Sequence, residues 1–207
     1  MRTIESLRPP ARPGAPWTLV LDGGDTLRVD EGVVADFALY QGKDLDEETL
    51  EDLKQAALDA GLRAKAVSLL TGRLLSAGTL REKLLAKGGQ PDQVEEIVAW
   101  AQDIGLLNDE EYAKALARHY QARGYGIYKI KDELHRRRVP REYWEEALAE
   151  LEEPDEGIDR FLAGKLKAPE DRKQVKKAAD ALVRRGFSWS QVSSGIERFR
   201  RNWAEEH

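Results

Sequence analysis

Few residues of this 207-residue chain have the type and spacing that catalysis requires. It contains no cysteine, which excludes a thiol nucleophile, a thiolate metal site and a disulfide framework. Its three histidines, His119, His135 and His207, are scattered, with no HExxH run and no carboxylates at metal-ligand spacing. His119 has the chemistry of a base, but a helix residue beside Tyr120 is the simpler reading. No GxxxxGK[ST] segment offers a phosphate cradle. Gly124-Tyr125-Gly126 begins like a dinucleotide fingerprint, yet no strand precedes it and the third glycine is missing, so it predicts a turn between helices. Ser188, Ser190, Ser193 and Ser194 lack a nucleophile-elbow context, and Ser188 or Ser190 suits a helix N-cap better. These patterns predict neither an enzyme nor a bound metal or cofactor.

The cations carry more information. Arg123, Tyr125, Tyr128, Lys129 and Lys131 lie just upstream of Arg136, Arg137, Arg138 and Arg141, which surround Pro140. Farther on, Arg172, Lys173, Lys176 and Lys177 fall on the helix side opposite Val175, Ala178, Ala179 and Leu182, and Arg184 and Arg185 close that helix. Such residues can solvate a helix face, or offset the dipole at a helix C-terminus by about 0.3–1 kcal/mol each. They can equally face a polyanion or an acidic protein groove. The candidate partner contacts are Arg123, Tyr125, Lys129, Lys131, Arg136, Arg137, Arg172, Lys173, Lys176 and Lys177, and charge reversal of Arg136 and Arg137, or of Lys173, Lys176 and Lys177, is expected to leave the fold intact. The formal net charge of -5 conceals a gradient, from -7 over residues 1–60 through -1 over 61–153 to +3 over 154–207. A pI near 5.4 therefore does not exclude nucleic acid.

The elements that must position these residues are mainly α-helical. Prolines at 9, 10, 13 and 16 predict a disordered tail over 1–16, whose removal should leave stability unchanged. Trp17, Leu19 and Leu21 alternate with Thr18 and Val20, then Asp22-Gly23-Gly24-Asp25 precedes a second alternation at Leu27 and Val29, which predicts a β-hairpin. Val33, Val34, Phe37 and Ala38 predict a short helix, and Asp46-Glu47-Glu48 predicts the start of another bearing Leu50, Leu53 and Ala57. Residues 17–60 thus form an N-terminal hairpin with helices.

Beyond this point the chain repeats. Leu84, Leu134 and Leu182 align at separations of 50 and 48 residues. In the same register Leu80, Ile130 and Ala178 coincide, as do Val94, Trp144 and Val192, then Val98, Leu148 and Ile196, then Ala101, Leu151 and Phe199. Leading helices around 63–76, 110–122 and 155–166 complete three tandem three-helix repeats over 61–109, 110–153 and 154–207. Stacked repeats predict an elongated, curved array that binds macromolecules. Trp144 is expected to be the buried anchor of the middle repeat. With 41% hydrophobic and 34% charged residues and no run of 18 apolar residues, the chain predicts no membrane span. The start has no apolar signal segment, so a cytoplasmic monomer is expected.

Gly105-Leu106-Leu107-Asn108-Asp109-Glu110-Glu111-Tyr112-Ala113 resembles the most characteristic segment of the RecX regulatory proteins. Ala66, Leu69, Leu70, Arg73, Ser76, Leu80, Lys83, Leu84, Lys87 and Gly88 fit that family's first unit. Arg123-Gly124-Tyr125-Gly126 and Ile130-Lys131-Asp132-Glu133-Leu134 fit its second, and the likeness covers about residues 62–200. The hairpin is similar to the front end of Gram-positive-type members. Three departures stand out: Lys129 replaces a usual arginine, Leu75 a usual charge, and Arg138 a common glycine, which predicts a differently shaped helix end. The resemblance implies a non-enzymatic negative regulator that lies in the groove of the RecA filament on single-stranded DNA. There it would inhibit ATP hydrolysis, strand exchange and filament extension. The basic faces alone leave open a direct nucleic-acid-binding protein, with single-stranded DNA as the partner, or a scaffold without regulatory activity.

Overall fold

The alternation at Trp17, Leu19 and Leu21 forms strand β2 (Trp17–Leu21) in the computed structural model, which describes residues 1–206; His207 lies outside the described residues. β2 pairs antiparallel with β3 (Thr26–Val29) across a turn in which Gly23 and Gly24 have φ of 85° and 89°, a backbone that glycine adopts without a Cβ clash. The first residues are not the disordered tail their composition suggests. Arg2–Arg8 is strand β1, antiparallel to β2, and β4 (Asp44–Leu45) completes a sheet of order β3-β2-β1-β4. All four early prolines fall after β1, so the strand keeps the N–H groups its ladder needs. Ile4 is wholly buried with Leu19, Leu21, Val29 and Leu45. Arg2 clasps the hairpin turn, with Nε 2.6 Å from Asp22 Oδ1 and Nη2 2.9 Å from Asp25 Oδ2.

Asp30 caps α1 (Glu31–Asp36) by accepting from the Val33 N–H at 2.8 Å, and Asp46 caps α2 (Glu47–Gly72) by accepting from the Thr49 N–H at 2.7 Å. α2 runs unbroken through Gly61, so the boundary expected at 60/61 falls inside a helix and the leading helix of the first repeat is its second half. A helical glycine costs about 1 kcal/mol relative to alanine. Burial of Leu50, Leu53, Leu62 and Ala66 along α2 outweighs it. The chain divides into two compact units: Met1–Arg73 with Leu80–Leu106, and Leu74–Thr79 with the chain from Leu107 onward. α3 (Ala77–Leu85) begins in the second unit and continues in the first, which also holds α4 (Pro91–Asp103). The second unit contains α5 (Asp109–Ala122), α6 (Ile127–Arg136), a single 3-10 turn (Arg141–Tyr143), α7 (Trp144–Ala149), α8 (Asp155–Lys165), α9 (Arg172–Arg184) and α10 (Trp189–Glu206).

The repeat register reappears as backbone geometry. Leu84, Leu134 and Leu182 are all fully buried. Each accepts a hydrogen bond from five residues on, Gly89 at 3.1 Å, Val139 at 3.0 Å and Phe187 at 3.2 Å. The residues just before those donors, Gly88, Arg138 and Gly186, have φ of 91°, 55° and 91°. Arg138 therefore takes the left-handed conformation usually left to glycine, and this helix end keeps the common shape rather than a different one. The returning hydrogen bond and the burial of Val139 offset a cost of about 1–2 kcal/mol. Trp144 corrects a second expectation: it is half-buried, with Nε1 donating to the Val139 carbonyl at 3.0 Å. α7 is a short helix entered through the 3-10 turn, and Ala147 takes the buried position on it.

One joint recurs within the second unit. The N–H groups of Gly126 and Tyr128, at the start of α6, donate to the carbonyls of Arg185 (2.9 Å) and Gly186 (3.1 Å), at the end of α9. A Cβ on Gly126 would sit 2.3 Å from the Gly186 oxygen, and one on Gly186 would sit 2.3 Å from the Lys129 nitrogen. One repeat earlier, the hydroxyls of Ser76 and Thr79 donate to the Arg137 carbonyl, the latter at 3.0 Å. A Cβ on Gly78 would there lie 2.5 Å from the Arg138 Cβ.

Ile4→Ala is expected to lower unfolding free energy by about 2–5 kcal/mol, measured by urea titration; a loss under about 0.5 kcal/mol would return β1 to the status of a dispensable tail. Gly126→Ala is expected to cost about 1–3 kcal/mol by overpacking. Gly186→Ala should cost more because it adds left-handed strain, and wild-type stability for either variant would break the joint as described.

Candidate functional site

α6 and α9 occupy equivalent places in successive repeats, and both carry cations, yet their electrostatics differ. Asp171 caps α9, accepting from the Lys173 N–H at 2.8 Å, and Ala178, Ala179 and Leu182 bury its inner side. That leaves Arg172, Lys173, Lys176 and Lys177 exposed, and none of the four joins an ion pair among the described residues. All four lie on the exposed side of α9, opposite its buried residues.

On α6 the cations are already engaged. Glu133 is only 5% exposed and gathers three of them. Arg136 Nε donates to its Oε2 at 3.0 Å, Lys129 Nζ lies 3.5 Å from Oε1, and Arg137 Nε lies 3.8 Å from Oε2. Burial pushes the Glu133 carboxyl up, but hydrogen bonds from Arg136 and Tyr120, together with the charges of Arg136 and Lys129, outweigh it and hold the group below the ordinary 4.5. Arg137 is half-buried, and its Nη1 donates to the Tyr112 hydroxyl at 3.1 Å. The expectation that Arg136 and Arg137 can be reversed without loss of fold is therefore corrected. Removing their charge strips a buried carboxylate of its partners.

The remaining candidates divide. Lys131 is exposed on α6. Arg123 is exposed, but its carbonyl accepts from Arg185 Nη1 at 3.3 Å. Tyr125 is half-buried, its ring centre 5.5 Å from that of Tyr120 and 5.4 Å from the Arg185 guanidinium carbon. Arg185 also lies 5.1 Å from the Phe161 ring centre, so it clamps the joint between the second and third repeats. Its importance was visible in the sequence only as its 48-residue offset from Arg137. Lys114, which the sequence does not single out, is 9% exposed and meets Glu110, Glu146 and Glu150 at 2.8, 2.6 and 3.2 Å. The hydrogen bonds that its ammonium donates to Glu110 and Glu146 hold it well above the usual lysine range. Only the Glu110–Lys114 spacing hinted at this. His119 is exposed, edge-on to Tyr120. Among the described residues no group of three or more histidines and carboxylates is placed to hold a metal ion, and no helix is long and apolar enough to cross a membrane.

Residues 108–148, which include Lys114, Glu133 and the α6 cations, match the family model described as RecX, second three-helix domain. Over 151 residues the chain is 30% identical to the regulatory protein RecX of Vibrio parahaemolyticus, covering 69% of this chain and 94% of that one. The chain belongs to the RecX family. It is also 35% identical over 132 residues to the regulatory protein RecX of Xanthomonas axonopodis pv. citri. A match of 26% to the RecX of Listeria welshimeri extends over 83% of this chain. The fold is that of a solved structure of regulatory protein RecX, with a TM-score of 0.72 over 96% of this chain and 100% of that one at 21% identity. A solved RecX from Lactobacillus salivarius gives a TM-score of 0.65 over 70% of this chain and 98% of that one. As a RecX-family chain it is a regulatory protein with a three-helix domain, mainly helical, with a small N-terminal sheet.

The pH dependence of Glu133 follows from its lowered carboxyl. Its folded state is favoured while the group is ionised, above 4.5, and that contribution is lost as pH falls through the lower folded value. Glu133→Gln is expected to cost on the order of 1–3 kcal/mol at neutral pH. The gap to wild type should close as urea titrations move below the ordinary carboxylate range; a pH-independent gap would show that packing alone is at stake.

Proposed function

We propose that this RecX-family chain is a non-enzymatic negative regulator of RecA. In this reading it binds in the groove of the RecA filament on single-stranded DNA and inhibits ATP hydrolysis, strand exchange and filament extension, in control of recombination and repair. The observation that carries the contact surface is the α9 face, where Arg172, Lys173, Lys176 and Lys177 are exposed and without ion-pair partners among the described residues. Lys131 and Arg123 extend the candidate surface on the second repeat, whereas Lys129, Arg136, Arg137 and Tyr125 act chiefly by holding α6 and its turn in place. Unpaired cations on a rigid helix suit an acidic protein groove because they need not break internal bridges before meeting a partner. The same face suits DNA phosphates, and this is the alternative reading: direct single-stranded DNA binding through repeats two and three.

The test is the single-stranded-DNA-dependent ATPase of the cognate recombinase with substoichiometric regulator. Lys173→Glu, Lys176→Glu and Lys177→Glu combined are expected to weaken inhibition by about tenfold or more while changing stability by less than about 0.5 kcal/mol per site. Full inhibition by the folded triple variant would move the contact surface elsewhere. Binding to bare single-stranded DNA with a log–log salt slope near -0.7 per phosphate, and no effect on the recombinase, would favour the alternative.

A further inference from the structure

A groove in the first unit combines an apolar floor with a rim whose charged residues, set beside Thr26, are all basic. It runs along α2 beside β3, with a volume of about 590 Å3. Leu27, Ala57, Leu58 and Leu62 form the floor, and Leu58 is 62% exposed. Arg28, Lys54, Lys65 and Lys87 form the rim. Lys54 meets Glu51 at 3.1 Å, while the other three have no ion pair among the described residues. No acidic residue and no aromatic ring lines the groove among the described residues. Two of the four cations, Arg28 and Lys54, belong to residues 1–60, a segment whose formal charge is -7.

Gly61 supplies a second observation. It lies in the middle of the 26-residue α2 in an ordinary helical conformation, and a Cβ added there would meet nothing within 4 Å. Neither a positive φ nor a close packing contact requires glycine here, although glycine is among the poorest helix formers. What its missing side chain does is leave the groove open between Leu58 and Lys65. The α2 residues that line it, 54, 57, 58, 61, 62 and 65, follow i, i+3, i+4, i+7 spacing, a track of roughly 16 Å at 1.5 Å per residue.

We propose that this groove docks an acidic amphipathic helix of a partner protein, with aliphatic anchors on Leu27, Leu58 and Leu62 and carboxylates on Arg28, Lys65 and Lys87. Three turns of track match the i, i+4, i+7 anchors by which an amphipathic helix seats in a groove. The basic rim selects acidic flanks and rejects basic ones. Single-stranded nucleic acid fits less well, because base recognition of that kind uses aromatic stacking platforms, which this lining lacks. The assignment concerns a surface apart from α9 and does not depend on the recombinase reading.

The experiment uses the full chain and fluorescence anisotropy with a synthetic helical peptide of about five turns, leucine on one stripe and glutamate elsewhere. Saturable binding is expected, with a lysine-for-glutamate control peptide at least about tenfold weaker. Gly61→Glu fills and repels the groove while improving helix propensity and adding an i, i+4 partner for Lys65. It should therefore raise the melting temperature yet weaken peptide binding about tenfold or more, opposite signs that a merely structural role would not produce. Leu58→Asp, on an exposed side chain, should weaken binding alike without unfolding the chain. Equal affinity of Gly61→Glu and wild type, or equal binding of both peptides, would overturn the proposal. So would a labelled single-stranded oligonucleotide that binds in place of the peptide and is lost in Gly61→Glu, or self-association by light scattering that the same substitution abolishes.

Discussion

The second unit depends on a carbonyl oxygen at the end of one helix being received by the first turn of a helix one repeat earlier. At Arg185 and Gly186 the donors are backbone N–H groups of Gly126 and Tyr128, and at Arg137 they are the hydroxyls of Ser76 and Thr79. At the Arg185 joint both ends are groups that a helix leaves without intrahelical partners, so two orphaned termini are satisfied at once, whereas at Arg137 side-chain hydroxyls satisfy the orphaned carbonyl. The approach is so close that it tolerates no Cβ at Gly126, Gly186 or Gly78. Side-chain packing follows from that spacing: it seats Arg185 between Tyr125 and Phe161.

The same constraint sorts the charges. A turn that offers its carbonyls to a neighbouring helix brings its arginines partly into the interior, and Arg137 and Arg185 are both half-buried for this reason. A half-buried guanidinium needs a counter-charge or a ring, which Glu133 supplies to the one and Tyr125 to the other. Cations outside the joint, such as Lys173, Lys176 and Lys177, have no such duty and remain available to a partner. Cations that hold the fold and cations left without an ion pair among the described residues are therefore separated by distance from the joint rather than by residue type.

The N-terminal sheet shows a different balance. β3 and β2 form a hairpin that alone would be marginal, and β1 makes it a sheet by adding Ile4 to its core and Arg2 to its turn. α2 then spans from this core to the first repeat without a break, carrying Leu50 and Leu53 at one end and Leu62 and Ala66 at the other.

Periodic features were legible in the sequence because they are local. Apolar spacing placed Leu84, Leu134 and Leu182 in register, Asp-Gly marked the hairpin turn, and the segment from Gly105 to Ala113 pointed to the family. β1 was not, because seven residues beside a proline cluster have no pattern of their own until β2 offers a ladder. The continuity of α2 through Gly61 and the left-handed Arg138 were likewise decided by burial and by a returning hydrogen bond, each strong enough to override a local preference of about 1–2 kcal/mol. Sequence alone determined which residues are charged and which are apolar. Whether Arg137 faces a partner or a buried Glu133, and whether Lys177 is free, only the tertiary structure decided, because ion pairing depends on distances across helices that no linear spacing specifies.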